Sequence, residues 1–255
     1  MRPSTFIWYE LLTDDVDAAG RFYGEVVGWS AEDSGQSDKQ YRQWSIEGAP
    51  VGGLMELPPG AGASGMKPMW LGYVHVPDVD ASIGEIEAAG GALSMPATDI
   101  PGVGRIAMVN DPQGAPFYVM TPKGGGQSVS FAPGQPGHGG WHELHTSDWR
   151  GARDFYFGRL GWGESHAMDM GSMGTYLLFN TGADAVGGMM NSSALERPTW
   201  LYYFNVDDID AARLRVEAAG GAVVNGPHEA PTGAWIIQAR DPQGAAFALV
   251  GPHKA

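Results

Sequence analysis

The chain has 255 residues, a formal net charge of −14 at pH 7 and 43% hydrophobic residues, which predict one large or two ordinary domains with a buried core. The acidic balance argues against binding to nucleic acid or to an anionic membrane surface. The absence of cysteine excludes disulfides and cysteine-ligated zinc and, with an N-terminus that lacks a signal-peptide core, favours a cytoplasmic protein.

The first module begins with a predicted strand at residues 6–13, whose aromatic and β-branched content suits a pleated sheet. Asp14 or Asp15 is placed to cap the helix that follows, in which apolar residues recur at helical spacing. Three short strands are then predicted near residues 30–33, 40–47 and 51–57.

The second module repeats this order of elements. A strand is predicted at residues 70–76, and Asp78 caps a helix that Gly90 and Gly91 terminate. Further strands are predicted near residues 92–95, 104–110 and 116–121. Both modules therefore have the order β-α-β-β-β.

Near-constant offsets along the chain indicate a tandem duplication. The segment Glu87 to Ala92 recurs 130 positions later at Glu217 to Ala222, and Asp148 and Asp208 begin the helices of the second copy. The prediction is a domain at residues 1–122, a Gly/Pro-rich linker at 123–138 and a second domain at 139–255. The predicted fold class is α+β. Because helices this sparse cover only one face of a sheet, the two βαβββ modules of each domain are expected to curl into a half-barrel around a cleft.

The repeated pattern resembles a known superfamily. Asp-x6-Phe-Tyr-x4-Gly-Trp begins at Asp15 and Asp148, and Asp-Pro-Gln-Gly begins at Asp111 and Asp241. This arrangement is similar to the vicinal oxygen chelate superfamily, which includes glyoxalase I, bleomycin-resistance proteins and ring-cleaving dioxygenases. The resemblance covers nearly the whole chain except the linker. It is greatest to two-domain glyoxalase-like proteins, some of which are labelled hydroxylases and some of which accompany antibiotic biosynthesis.

The resemblance implies a divalent metal held by His, Gln or Glu from facing strands. The residues at the usual ligand positions of this chain are Trp8, Leu71, Trp141, Leu201, Tyr118 and Ala248. Glu56 is one carboxylate near a remaining position, but catalytic sites normally have at least three protein ligands. We therefore expect no metal and no other cofactor, with a displaced metal site as the alternative.

Residues two apart in a strand share a face, so Trp8 places Glu10 on the predicted cleft face, and Trp141 does the same for Glu143 and His145. His142 falls on the opposite face. The predicted ligand-binding residues are Trp8, Glu10, Tyr73, His75, Tyr118, Trp141, Glu143, His145, Tyr203 and Asn205.

Glu143, His145 and Glu10 are the candidate catalytic residues. A buried carboxylate beside an imidazole suits acid–base chemistry or the anchoring of a ligand hydroxyl. The alternative is a carboxylate that binds backbone amides or lies at a solvated strand end, with a histidine that is simply hydrogen-bonded. Trp8 and Trp141 either stack on a flat ligand or fill the space of an absent metal.

Two functions remain open. The first is metal-independent binding of a small hydrophobic, aromatic metabolite, for sequestration, resistance or secondary metabolism. The second is an enzyme, either a lyase, isomerase or hydroxylase-like catalyst that uses the Glu/His pairs or a glyoxalase or dioxygenase with a displaced metal. In both cases the expected partner is a small molecule, and the chain is expected to be a monomer or homodimer.

Overall fold

The computed structural model describes residues 4–35, 41–61, 65–124, 128–192, 194–231 and 233–254. Residue 40 of a predicted strand and residues 125–127 of the predicted linker lie outside the described residues. Within the described part of the chain, no helix is long and apolar enough to cross a membrane.

The first repeat has the predicted order of elements. Its strands and helices are β1 Phe6–Thr13, α1 Val16–Val27, β2 Ser30–Asp33, β3 Arg42–Ile46, β4 Ala49–Glu56, β5 Met69–His75, α2 Val79–Ala88, β6 Ala92–Ile100, β7 Gly104–Asn110 and β8 Pro116–Pro122. Strand β6 runs five residues beyond its predicted end at residue 95, because it pairs with β7 as far as Ile100.

The second repeat has the same order. Its elements are β9 Gly139–Thr146, α3 Trp149–Leu160, β10 Gly163–Asp169, β11 Thr175–Asn180, β12 Ala185–Asn191, β13 Thr199–Asn205, α4 Ile209–Ala218, β14 Ala222–Glu229, β15 Trp235–Arg240 and β16 Ala246–Gly251, with a short 3₁₀ turn at Gly171–Met173.

The strands form two eight-stranded mixed sheets. Their orders are β2-β3-β4-β1-β5-β8-β7-β6 and β10-β11-β12-β9-β13-β16-β15-β14. The predicted α+β class with duplicated βαβββ modules is therefore confirmed. Strands β9 and β12 are parallel, with Glu143 opposite Gly188, and in the first repeat β1 and β4 place Glu10 opposite Gly53.

Aspartates begin the four helices, as predicted. The carboxylate of Asp15 accepts from the backbone of Ala18 at 2.8 Å, and that of Asp78 accepts from Ala81 at 3.0 Å. Asp148 and Asp208 cap α3 and α4 in the same way. Each cap supplies an acceptor to an amide that has no partner within the helix.

The chain divides into two compact units. Unit 1 contains residues 1–7, 72–127 and 142–201, and unit 2 contains residues 8–71, 128–141 and 202–255. Each unit thus combines the first module of one repeat with the second module of the other. This grouping differs from the sequence-based division, which keeps each repeat whole.

The core of unit 1 is built from stacked aromatic rings. Trp162 lies between Tyr156 and Phe179, with ring centroids 5.0 Å and 4.5 Å apart and interplanar angles below 10°. The indole N–H of Trp162 donates to the carbonyl of Ser4 at 2.7 Å. Trp162 and Phe155 are buried in this core.

A buried tyrosine hydroxyl joins the two modules of unit 1. Tyr156 on α3 donates to the carboxylate of Asp111 at 3.0 Å and accepts from the indole of Trp200 at 2.9 Å. The other oxygen of Asp111 accepts from the backbone of Gln113 and Ala115, which fixes the turn formed by the Asp-Pro-Gln-Gly motif. Burial raises the pKa of Asp111, and these hydrogen bonds oppose the rise.

Unit 2 contains the equivalent contacts. Tyr23 on α1 donates to Asp241 at 3.1 Å and accepts from the indole of Trp70 at 2.8 Å. Trp29 and Phe22 are buried in this core. The same three residue types therefore join the modules in both units.

Replacement of Tyr156 by Phe is expected to lower the free energy of unfolding by about 3 kcal/mol, because it leaves the buried Trp200 N–H without an acceptor and removes a donor from Asp111. Denaturant titration of the full chain measures the change. Tyr23→Phe is the matched variant in unit 2 and should cost a similar amount. A loss below about 0.5 kcal/mol in both variants would contradict the interpretation.

Candidate functional site

Strand β9 presents its two histidines on opposite faces, as the alternation of strand side chains predicts. His142 packs into the core of unit 1, where its ring stacks on Phe6 with centroids 4.0 Å apart. Its Nδ1 lies 2.7 Å from the carbonyl oxygen of Val186, which can only accept, so Nδ1 carries the proton. Burial lowers the pKa of His142 to about 3, and the ring is neutral near pH 7.

The other face of β9 contributes to a buried polar cluster made of Glu143, His145 and Tyr176, which we call the β9 triad. Oε1 of Glu143 lies 2.7 Å from Nε2 of His145, and Oε2 accepts from the hydroxyl of Tyr176 at 2.9 Å. The side chains of His145 and Glu143 are only 6% and 10% exposed. Both carboxylate oxygens therefore have partners within unit 1.

Gly188 makes this triad sterically feasible. It lies on β12 opposite Glu143, and Tyr176 lies on the next strand, β11. A Cβ atom at Gly188 would overlap the phenol ring of Tyr176, so the ring crosses β12 at the position where that strand has no side chain. The sequence prediction missed Tyr176, although the recurring Val-Gly-Gly of Val186 to Gly188 was a signal for it.

The hydrogen bonds of Glu143 indicate the tautomer of His145. An ionised carboxylate can only accept, and with Tyr176 already donating to one oxygen, Nε2 of His145 donates to the other. When the ring carries a single proton, Nδ1 is therefore the nitrogen with the lone pair. This atom is buried and has no hydrogen-bond partner among the residues that the structure describes.

The first repeat has only part of the same arrangement. Glu10 is buried on β1 opposite Gly53, and a Cβ at Gly53 would overlap the hydroxyl of Tyr41. The indole of Trp8 donates to this hydroxyl at 3.0 Å. Leu12 stands where the second repeat has His145. The imidazole of the β9 triad therefore has no counterpart on β1.

Three other predicted site residues lie together in unit 1, on strands β5 and β8. Tyr73 and Tyr118 are directly opposite in the parallel ladder, and their rings stack with centroids 4.3 Å apart. Both are 5% exposed. His75 is half-buried, and its imidazole makes no hydrogen bond to any described residue; its backbone N–H donates to Thr5 at 2.8 Å.

The remaining predicted residues, Trp141, Tyr203 and Asn205, belong to unit 2. Trp141 is half-buried on β9, and the hydroxyl of Tyr203 accepts from the side chain of Gln238 at 2.9 Å. The Asn205 amide binds the backbone of the predicted linker: its nitrogen donates to the carbonyls of residues 132 and 138, and its oxygen accepts from residue 134. Asn205 thus fixes the linker path.

The donor set of this chain does not fit the metal centre that the resemblance implies. Trp8 and Trp141 supply no ligand atom, and Asn191 at the end of β12 accepts from the backbone of Trp149 at 2.7 Å, where it caps α3. Glu56 ends β4 as an exposed carboxylate. Across the described ranges, no three His, Asp or Glu side chains are grouped to hold an ion.

Comparison with known proteins identifies relatives over almost the full length. Residues 5–119 and 140–249 match the family described as Glyoxalase/Bleomycin resistance protein/Dioxygenase superfamily. A Mycobacterium bovis protein named "Putative glyoxylase CFP32" is 33% identical over 254 residues, which cover 98% of this chain and 96% of that protein. The anthracycline biosynthesis protein DnrV of Streptomyces peucetius is 33% identical over 264 residues, which cover 97% and 93%.

Solved structures with the same fold include two enzymes. The Mn(II)-bound glyoxalase from Novosphingobium aromaticivorans has a TM-score of 0.67 at 17% identity, over 99% of this chain and 83% of that one. The 2,3-dioxygenase LapB from Pseudomonas sp. KL28 has a TM-score of 0.65 at 13% identity, over 99% and 92%. At these identities the likeness concerns the fold alone.

Because of His142, the free energy of unfolding is expected to be about 2 kcal/mol lower at pH 5 than at pH 7. Its folded pKa of about 3 lies below the unfolded value of 6.5, so the unfolded chain binds the proton first as the pH falls. Stability supplied by the neutral ring is full above pH 6.5 and is lost towards pH 3. Denaturant titration gives the free energy of unfolding at both pH values. In His142→Phe the part of the pH dependence that comes from His142 should be absent.

The same measurements on His166→Gln, a change on the exposed part of β10, serve as the control. An imidazole resonance of His142 that titrates above pH 5 would contradict the expectation.

Proposed function

Because the chain belongs to the Glyoxalase/Bleomycin resistance protein/Dioxygenase superfamily, we propose that it is a metal-independent member that binds a small hydrophobic, aromatic metabolite. The observation that carries the proposal is the β9 triad. In it the Glu143 carboxylate is held by His145 and Tyr176, and neither of its oxygens is left over as a metal ligand. The polar chemistry of this strand face is therefore hydrogen bonding.

Aromatic side chains support an aromatic ligand. Tyr73 and Tyr118 form a stacked pair, and the indole of Trp8 is held in place by its hydrogen bond to Tyr41. Flat rings of this kind offer large contact areas with little loss of side-chain freedom on binding. A relative named for anthracycline biosynthesis supports a ligand from secondary metabolism.

A second candidate is acid–base catalysis on the bound metabolite, as a lyase, isomerase or hydroxylase-like enzyme. The hydrogen bond of 2.7 Å between Glu143 and His145 favours it, because a carboxylate that orients an imidazole is a common arrangement for proton transfer. Turnover of a metabolite that is lost in Glu143→Gln, while its binding persists, would support this candidate over binding alone.

Binding of an aromatic probe should not require a metal. Protein dialysed against a chelator is expected to bind 2-naphthol, followed by fluorescence, within about twofold of the untreated protein. Readdition of Mn²⁺ should not change the affinity, and elemental analysis should find substoichiometric metal. Stoichiometric Mn, Fe, Ni or Zn whose removal abolishes binding would overturn the proposal.

Replacement of Trp141 or Trp8 by Ala is expected to weaken 2-naphthol binding by about tenfold, which corresponds to the loss of one stacking contact of about 1.4 kcal/mol. The control is Trp235→Ala, which removes an indole that stacks on His253 near the C-terminus. Circular dichroism verifies that the variants are folded. Unchanged affinity in both Trp141→Ala and Trp8→Ala would tell against these residues as ligand contacts.

A further inference from the structure

We propose that Nδ1 of His145 binds the hydroxyl of a phenolic ligand and accepts its proton. The inference rests on the proposed function, because it names the chemical group by which the aromatic metabolite is recognised. It starts from one observation: a nitrogen of a histidine whose side chain is 6% exposed has no partner among the described residues.

Such an atom is costly unless a ligand uses it. A buried acceptor left without a donor costs about 1–3 kcal/mol, and most buried polar atoms in folded proteins have partners. Nε2 of the same ring is held by Glu143 at 2.7 Å, which fixes both the ring orientation and the tautomer. The lone pair on Nδ1 is therefore preorganised to accept a hydrogen bond from a ligand.

The acceptor character of Nδ1 selects among ligand groups. An ionised carboxylate has no proton to donate, and its charge would meet that of Glu143 nearby. An aliphatic hydroxyl can donate but is far too weak an acid to transfer its proton. A phenol, with a pKa of about 10 as in tyrosine, is close enough to imidazole for transfer when the site stabilises the ions.

Glu143 supplies that stabilisation. When the phenol O–H bond breaks, a new N–H bond forms at Nδ1 of His145, and the electron pair stays on the ligand oxygen as a phenolate. The imidazolium that results is paired with the carboxylate of Glu143, which Tyr176 holds at 2.9 Å through its second oxygen. The step balances with no further reactant.

The first repeat has no equivalent acceptor. On β1 the position equivalent to His145 is Leu12, which has no polar atom. Glu10 is present there, but an imidazole on that strand is not. One phenol should therefore bind in this way per chain.

The test compares two probes that differ by one methyl group, 4-nitrophenol and 4-nitroanisole. The native chain is expected to bind the phenol about tenfold or more tightly than the ether, which corresponds to one charge-assisted hydrogen bond. The bound phenol should show the absorbance of its phenolate at a pH where the free probe is mainly protonated. The stoichiometry should be one per chain.

His145→Gln separates the role of Nδ1 from that of the fold. Its amide nitrogen can still donate to Glu143, but it presents no imidazole base to the ligand. This variant should bind both probes equally and produce no phenolate signal, and the control His166→Gln should behave as the native chain does. If His145→Gln still preferred the phenol over the ether as strongly as the native chain does, the inference would be overturned.

Nitrogen NMR of the imidazole gives an answer that does not depend on affinity. In the free protein Nδ1 of His145 should be unprotonated and Nε2 protonated, and Nδ1 should gain a proton when 4-nitrophenol is added. A proton on Nδ1 in the free protein would overturn the inference alone. Equal binding of phenol and ether by the native chain would do the same, and failure of both to bind would also contradict the proposed function.

Discussion

Each unit of this protein depends on one buried tyrosine hydroxyl that joins a module of the first repeat to a module of the second. Tyr156 connects α3 to the turn at Asp111, and Tyr23 connects α1 to the turn at Asp241. The hydroxyl donates to a carboxylate that burial would otherwise disfavour, so the charge and the hydrogen bond stabilise each other only in the assembled core. Stacked aromatic rings surround this contact, as Trp162 does where it packs on Tyr156.

The elements of the fold follow closely from local sequence signals. Aspartate caps, helical spacing and the Gly-Gly stops are local, and the predicted caps coincide with the observed starts of the four helices. The grouping of modules into units could not be read in this way. The acceptor of Tyr156 is 45 residues away and that of Tyr23 is 218 residues away, so local patterns contain no information about the pairing.

The candidate site was predictable in part for the same reason. Strand alternation places Glu143 and His145 on one face and His142 on the other, because it depends only on neighbouring residues. Tyr176 escaped prediction because its contact requires three strands in register and a glycine on the middle one. Asn205 was expected to face a ligand, but its amide binds the linker, whose path no local rule specifies.

The composition of the units also constrains the order in which the chain can fold during synthesis. Trp29 and Trp70, made early, pack on Phe204 at centroid distances of 4.8 Å and 4.9 Å, and unit 1 extends to residue 201. The first repeat therefore leaves the ribosome before the part of each core that the second repeat supplies, Phe204 included, has been made. The duplication has produced two similar repeats, each of which completes a core of the other.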